Sequence, residues 1–385
     1  MKVSDQLLNR ITAGLVAVII GFSSSIALIY QVVITLGGTP DLVASWILML
    51  GLVMGITSIG LSYYYKVPVL IAWSTTGAAL LISSAQGYNL NEAIGAFMLS
   101  ALLVFLSGVT GWFEKIMNRI PSELACAMLA GVLVTFGIDV FNFMNDMPLV
   151  IGLMVVMYFI GKRFFARFAM LSVLIIGVLL AWQMGHIDTS ALHWKMSEFA
   201  YIEPVFNLQA CISIGLPLYI VTMTSQNLPG IAVLKAHKYK APISASLNVT
   251  GFVNMLTAPF GAYSINLAAI TAAICMSDEA DKNHDKRYWA SIAAGVFYIL
   301  MALCAATLVG LVASLPQALI LALAGIALFG TIANSLQQAL SSTEYTEAAI
   351  VTFLVTASNL TLLSVGSAFW GIIAGVLTLM ITRKD

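Results

Sequence analysis

Charge is scarce in this chain. Of its 385 residues, 9% are Asp, Glu, Lys or Arg and 60% are apolar, whereas an ordinary soluble domain carries roughly 25% charge. A globule of that make-up would lack the polar coat that keeps it in water, so the composition points to a chain dissolved in lipid. Neither sign of charge is in excess, with 17 basic and 17 acidic residues. That excludes the basic field that draws a protein to nucleic acid. Cysteine is sparse as well. Cys126, Cys211, Cys275 and Cys304 sit in separate apolar runs with no histidine beside them, so no disulfide framework, metal site or cofactor is expected. His186, His193, His237 and His284 lie in polar connections and are expected to be solvated. The apolar runs hold no HExxH, no paired carboxylates and no Ser/His/Asp set, which makes a membrane-embedded enzyme the weakest of the readings.

What remains is long apolar sequence cut at intervals by charge. An ionised side chain is costly in hydrocarbon and about twenty residues are needed to cross it, so the charges mark the ends of spans. The first run, Ile11 to Thr35, is longer than a signal-peptide core and is expected to be a retained span. Six more follow, at 42–65, 67–91, 93–113, 124–138, 147–161 and 168–185. The stretch Ile187 to Glu203 holds Asp188, Lys195, Glu198 and Glu203 and is the one long polar connection. Beyond it the runs 204–234, 241–277, 288–343 and 348–382 hold one, two, two and two spans, divided at Pro259, at Pro316 and around Asn359. The expectation is an all-α polytopic membrane protein of about fourteen segments. Residues 1–186 and 204–385 would form two inverted repeats of seven, joined by an extracytoplasmic connection at 187–203. With both termini in the cytoplasm, all of the 17 Lys and Arg except Lys195 fall on the inner face, as the positive-inside rule requires.

Inverted repeats place their sites at interrupted helices near the bilayer midplane. The third span reads Pro68-Val-Leu-Ile-Ala-Trp73-Ser74-Thr75-Thr76-Gly77, and the tenth reads Pro259-Phe-Gly-Ala-Tyr263-Ser264-Ile265-Asn266. Both run proline, a short extended piece, aromatic-Ser, then a helix, about 190 residues apart. In the first span Phe22 is followed by Ser23, Ser24 and Ser25, and in the eighth Thr224-Ser225-Gln226-Asn227 precedes Pro229-Gly230. For any one of these hydroxyls the plain alternative is a bond to its own helix. No Asp, Glu, Lys, Arg or His falls in mid-span, so an anion would be held by helix N-terminal amides, hydroxyls and carboxamides.

At these residues the sequence resembles the benzoate transporter family, benzoate:proton symporters of bacterial inner membranes. The likeness is carried by Ala72 to Leu81, Val221 to Ala232, Ala262 to Cys275 and Val355 to Asn359. The resemblance implies the fold of uracil- and sulfate-type anion transporters, with spans 1–4 and 8–11 as a core moving against a gate of spans 5–7 and 12–14, and homodimers as found in that wider fold. Nucleobase carriers of the fold hold glutamates on spans 8 and 10. Here those places offer Gln226, Asn227 and Asn266, which disfavours a nucleobase and suits a carboxylate. A carrier or channel for another anion stays open as the rival.

The reading that follows is secondary transport of benzoate or a similar aromatic carboxylate, together with a proton. Ser74, Thr75, Ser264 and Asn266 would hold the carboxylate, Gln226 and Asn227 would orient it, and Phe22, Trp73 and Tyr263 would hold the ring, with Ser23, Ser24 and Ser25 nearby. With no titratable group in mid-span, the proton is expected to travel on the substrate, whose pKa rises on desolvation. The alternative is a carrier acid such as Glu92 or Glu123, whose plainer role is to anchor a span end.

Overall fold

The protein is described here from a computed structural model, covering residues 3–111, 121–186, 196–278, 280–360, 362 and 367–382. The first half contains α1 (Val3–Thr35), α2 (Pro40–Tyr65), β1 (Ile71–Trp73), α3 (Thr75–Ser84), α4 (Leu90–Thr110), α5 (Ser122–Asn142), α6 (Pro148–Phe164) and α7 (Ala169–Gln183). The second contains α8 (Leu208–Lys235), then α9 (Ile243–Thr257), β2 (Ile265–Leu267), α10 (Ile270–Met276), α11 (Tyr288–Leu303), α12 (Ala305–Ala313), α13 (Gln317–Ala339), α14 (Thr346–Ala357) and α15 (Ser367–Thr382). Helix starts follow local chemistry. Thr39 accepts the Leu42 amide ahead of Pro40 at the first position of α2, and Asn89 with Glu92 forms a capping box on α4, so orphan first-turn amides are satisfied by side chains.

The architecture is all-α and polytopic. Each apolar run between charges holds one helix or broken helix per expected span. By length and composition six of these helices are able to cross a membrane, or seven with α11 and α12 counted as one span bent by 63°. The rest are shorter, notably α3 and α10, which are half-helices behind strand pieces. Large apolar side chains cover the outside, among them Phe164, Leu354 and Ile381, a surface suited to lipid rather than water.

Helices pair in matching sets. α2 packs on α11 and α4 on α9, α6 on α7 and α14 on α15, and α5 on α13. The α2–α11 seam is close because glycines line it. A Cβ built on Gly55 would stand 2.5 Å from the Gly295 carbonyl oxygen, and one on Gly295 2.8 Å from that of Gly55, the small-residue packing by which helices associate in lipid. The extended segment from Met196 onward runs along one end of the bundle. Ala200 N–H donates to Ser45 Oγ, Ile202 N–H to the Pro259 carbonyl and Val205 N–H to that of Asn91. Of the polar connection expected at 187–203, residues 187–195, with His193 and Lys195, lie outside the described residues.

Two expectations need correction. The aromatic-Ser pairs are not equivalent members of a repeat. Trp73 and Ser74 follow the β1 extension and lead into α3, whereas Tyr263 and Ser264 precede β2, and α10 begins only at Ile270. Antiparallel pairing, not equivalence, brings them together. Second, His237 and His284 are not simply solvated. His284 stacks on Tyr239 with centroids 4.0 Å apart, and its Nε2 lies 2.8 Å from the His237 carbonyl oxygen, because the two connections holding them pack on each other. Beyond these, the charges at span ends are not all at the surface. Arg10 meets Asp281 at 2.5 Å, with the Asp281 side chain fully buried. Arg287, itself buried, donates to the carbonyls of Met276 and Asp281 and pairs with Asp278, satisfying the Met276 carbonyl that the end of α10 leaves open.

Candidate functional site

β1 and β2 cross as an antiparallel pair in the middle of the bundle, with Ile71 opposite Leu267, Ala72 opposite Asn266 and Trp73 opposite Ile265. Ser74 N–H extends the ladder to the Ser264 carbonyl (3.1 Å) and Ala268 N–H to that of Leu70 (2.9 Å). A two-stranded ribbon has two unpaired edges, and buried amides on them need partners that lipid cannot supply. Side chains of neighbouring helices provide them. On the β1 edge Ile71 N–H donates to Ser58 Oγ (2.9 Å), and Ser62 Oγ donates to the Val69 carbonyl (2.7 Å). On the β2 edge Leu267 N–H donates to Asn227 Oδ1 (3.0 Å), and Asn254 Nδ2 reaches the Tyr263 carbonyl at 3.4 Å. Ser58, Ser62 and Asn254, none of them singled out from the sequence, hold the ribbon edges. Ser58 and Ser62, four residues apart on α2, were the available signal.

Ser74 caps α3, its Oγ accepting from Gly77 N–H at 2.9 Å, while its carbonyl accepts from Tyr263 Oη at 2.9 Å. Ser25 Oγ lies 2.9 Å from Thr75 Oγ1, which ties α1 to the same helix start. Ser264 Oγ lies 2.9 Å from Thr222 Oγ1. The side chains of Ser23 and Ser24 lie outside the described residues. Asn266 is mid-strand and fully buried, and its surroundings fit an amide turned so that its oxygen shares the Ser74 N–H with the Ser264 carbonyl and its nitrogen faces the Leu267 carbonyl, each at 3.2 Å. Asn227 is fully buried too. In this conformation both carboxamides hold backbone.

The polar run of α8 reaches the crossing through a change of helical pitch. Met223–Asn227 is a π-helical turn, as is Cys211–Gly215. At about 100° per residue a regular α-helix would place Asn227 about 140° round from Thr222. Closing the turn five residues apart brings both to one face. Thr222 thus meets Ser264, Gln226 Nε2 donates to Thr76 Oγ1 at 3.2 Å, and Asn227 meets Leu267. One turn of α8 therefore touches both strand-bearing arms.

The aromatic residues divide into two clusters. Phe22 packs edge-on against Trp73 with centroids 4.7 Å apart and lies 6.1 Å from Tyr298, a residue not anticipated from sequence. Tyr263 instead stacks on Trp46 and meets Phe97. Glu92 takes Asn89 N–H on one carboxylate oxygen (3.1 Å) and Asn207 Nδ2 on the other (2.6 Å), an anchoring duty at the starts of α4 and α8. Among the described residues no group of three His, Cys, Asp or Glu is placed to hold a metal.

Such a site, built from helix-start amides, hydroxyls and carboxamides, suits a small anion. A model of the family described as benzoate membrane transport protein (BenE) matches residues 4–381. The chain belongs to that family. This BenE family member is 45% identical over 363 residues to the inner membrane protein YdcO of Escherichia coli K12, covering 94% of this chain and 93% of that one. It is 36% identical over 380 residues to the benzoate membrane transport protein of Acinetobacter baylyi, covering 99% and 96%. Its fold is that of the transmembrane domain of the cyanobacterial bicarbonate transporter BicA, with TM-score 0.66 at 14% identity over 96% and 97% of the two chains. The family and fold are those of membrane anion transporters, not enzymes.

Proposed function

We propose that this BenE family member is a secondary active transporter that moves benzoate or a similar aromatic carboxylate across the cytoplasmic membrane with a proton, by alternating access. The observation that carries this reading is the start of α3. It lies buried at the strand crossing, is capped by Ser74, and is ringed by Ser25, Thr75, Thr76 and Gln226. First-turn amides and hydroxyls favour a carboxylate without the grip of a fixed cation, which would hinder release. The apolar cluster of Phe22, Trp73 and Tyr298 beside it suits an aromatic ring. The 36% identical relative from Acinetobacter baylyi bears the name of a benzoate transporter, in agreement.

The same proposal takes fourteen crossings in two inverted repeats, 1–186 and 204–385, with both termini cytoplasmic. It is supported by the helix pairs, which match under a shift of seven spans: span 2 on 11 corresponds to 9 on 4, and 6 on 7 to 13 on 14. α1–α4 with α8–α12 would form the core, and the remaining helices the gate. Uptake by proteoliposomes of the purified protein, compared across aromatic acids, bicarbonate, sulfate, uracil and urate with and without a pH gradient, tests the reading. Benzoate-type acids should be concentrated when the outside is acid. Concentration of an inorganic anion or nucleobase in their place would overturn it.

A further inference from the structure

Gln226 differs from its neighbour Asn227 in having half of its carboxamide uncommitted. Its Nε2 donates to Thr76 Oγ1 at 3.2 Å. Thr76 Oγ1 also lies 3.4 Å from Ser74 Oγ, a contact in which either hydroxyl can donate, while a lone pair of Thr76 takes the Gln226 amide hydrogen. A carboxamide anchored by its nitrogen presents its oxygen on the other side, and that oxygen only accepts. Among the described residues no donor reaches Gln226 Oε1, and the side chain is only half-buried. An acceptor next to the α3 amides repels a carboxylate oxygen but takes the O–H of a carboxylic acid.

The titratable groups on the elements packed against this π turn are all engaged elsewhere or remote from Gln226. Tyr219 bonds Ser107 and Cys126 bonds Gln338. Lys235 lies in the last turn of α8, and Glu123 in the first turn of α5. Asp139 bonds Asn142 toward the other end of α5, and Tyr263 bonds Ser74. None bonds Gln226.

We propose that Gln226 reads the proton on the cargo: it accepts the hydroxyl of the neutral acid while the α3 amides take the acid's carbonyl oxygen, so the binding form is the protonated acid. This rests on the aromatic-acid reading above and adds the residue that ties proton to substrate. The proton enters and leaves as the acid O–H, which dissociates to carboxylate and H⁺ in the water on release. No side chain need titrate. Desolvation without a counter-ion acts in the same direction, since it penalises the carboxylate.

The test is displacement of radiolabelled benzoate from the detergent-purified full chain, which avoids leakage of acid through a bilayer. Benzamide carries N–H donors where the acid has its hydroxyl, and nitrobenzene offers two acceptors and no donor. Benzamide should displace benzoate and nitrobenzene should not. The apparent Kd for total benzoate should weaken about tenfold per pH unit above the acid's own pKa. In Thr76→Val the nitrogen anchor is lost and the amide is free to turn, so the preference for benzamide over nitrobenzene should shrink about fivefold, the worth of one hydrogen bond. In Gln226→Leu it should vanish. A Kd flat with pH, or benzamide failing to displace bound benzoate from the unaltered protein, would overturn the inference and leave the transporter reading standing. Failure of the unaltered protein to bind benzoate at any pH would overturn both.

Discussion

Asn227 Oδ1 accepts the backbone N–H of Leu267 at 3.0 Å, forty residues away in sequence, and so joins the π turn of α8 to the outer edge of β2. On the other edge Ser58 Oγ does the same for Ile71 N–H. The ribbon at the centre of the protein is thus held between side chains of two helices that share no strand with it.

Removing that support should leave a buried amide without a partner, which costs about 1–3 kcal/mol. Asn227→Leu is expected to lower the melting temperature of the purified protein and abolish benzoate uptake, while Asn227→Asp, which keeps an acceptor, should lose less stability. Melting and uptake measured side by side check this. A leucine variant as stable and active as the parent would mean that the bond to Leu267 does not hold the site.

Glu92 is one of the two acids named from sequence as an alternative proton carrier, with Glu123, yet both its oxygens are occupied by Asn89 and Asn207. Glu92→Gln should therefore still concentrate benzoate down a pH gradient, with a modest loss of stability from the weakened capping box. A variant that exchanges substrate across proteoliposomes but no longer concentrates it would instead place the proton on Glu92.

The Arg10–Asp281 pair joins the start of α1 to the connection after α10. Breaking a buried pair by removing one partner strands the other charge, at a cost of about 3–5 kcal/mol. Arg10→Met and Asp281→Asn should each lower thermal stability steeply, and the double variant should recover part of the loss. Simple additivity of the two losses in a double-mutant cycle would show that they are not energetically coupled.

Tyr239, in the connection between α8 and α9, donates its hydroxyl to the His284 carbonyl at 2.9 Å. Burial pushes its pKa up to about 12, although Arg287 nearby pulls the other way. The folded protein holds this phenol neutral beyond the pH at which the unfolded chain ionises it, near 10. The stabilisation is therefore complete below about pH 10 and is lost as pH rises through about 12. Urea midpoints across that window should fall less steeply in Tyr239→Phe than in the parent. Parallel pH profiles would remove Tyr239 from that linkage.

Much of this molecule could be read without coordinates. Ionised side chains are excluded from hydrocarbon, so their spacing alone located the apolar runs, and each of those runs holds a helix or broken helix. Proline followed by β-branched residues and then by Ser-Thr-Thr marked the extended piece and capped start of α3, since these are local preferences of backbone and cap. The partnership of Ser74 with Ser264 was not local. It depends on two strands about 190 residues apart in sequence meeting antiparallel, and the sequence pattern suggested equivalent places for two serines that instead face each other across a crossing. The duties of Ser58, Ser62 and Asn227 were hidden for the same reason, because a hydroxyl or carboxamide in an apolar helix looks alike whether it bonds its own backbone or a strand edge. Burial of Asp281 and Arg287 was equally a matter of which connections pack together. Composition and periodicity determined that the chain lives in a membrane as helices. Only the tertiary structure decided which polar groups hold backbone and that, among the described residues, no donor meets Gln226 Oε1, because hydrogen-bond satisfaction depends on the partners that folding brings within 3 Å or so.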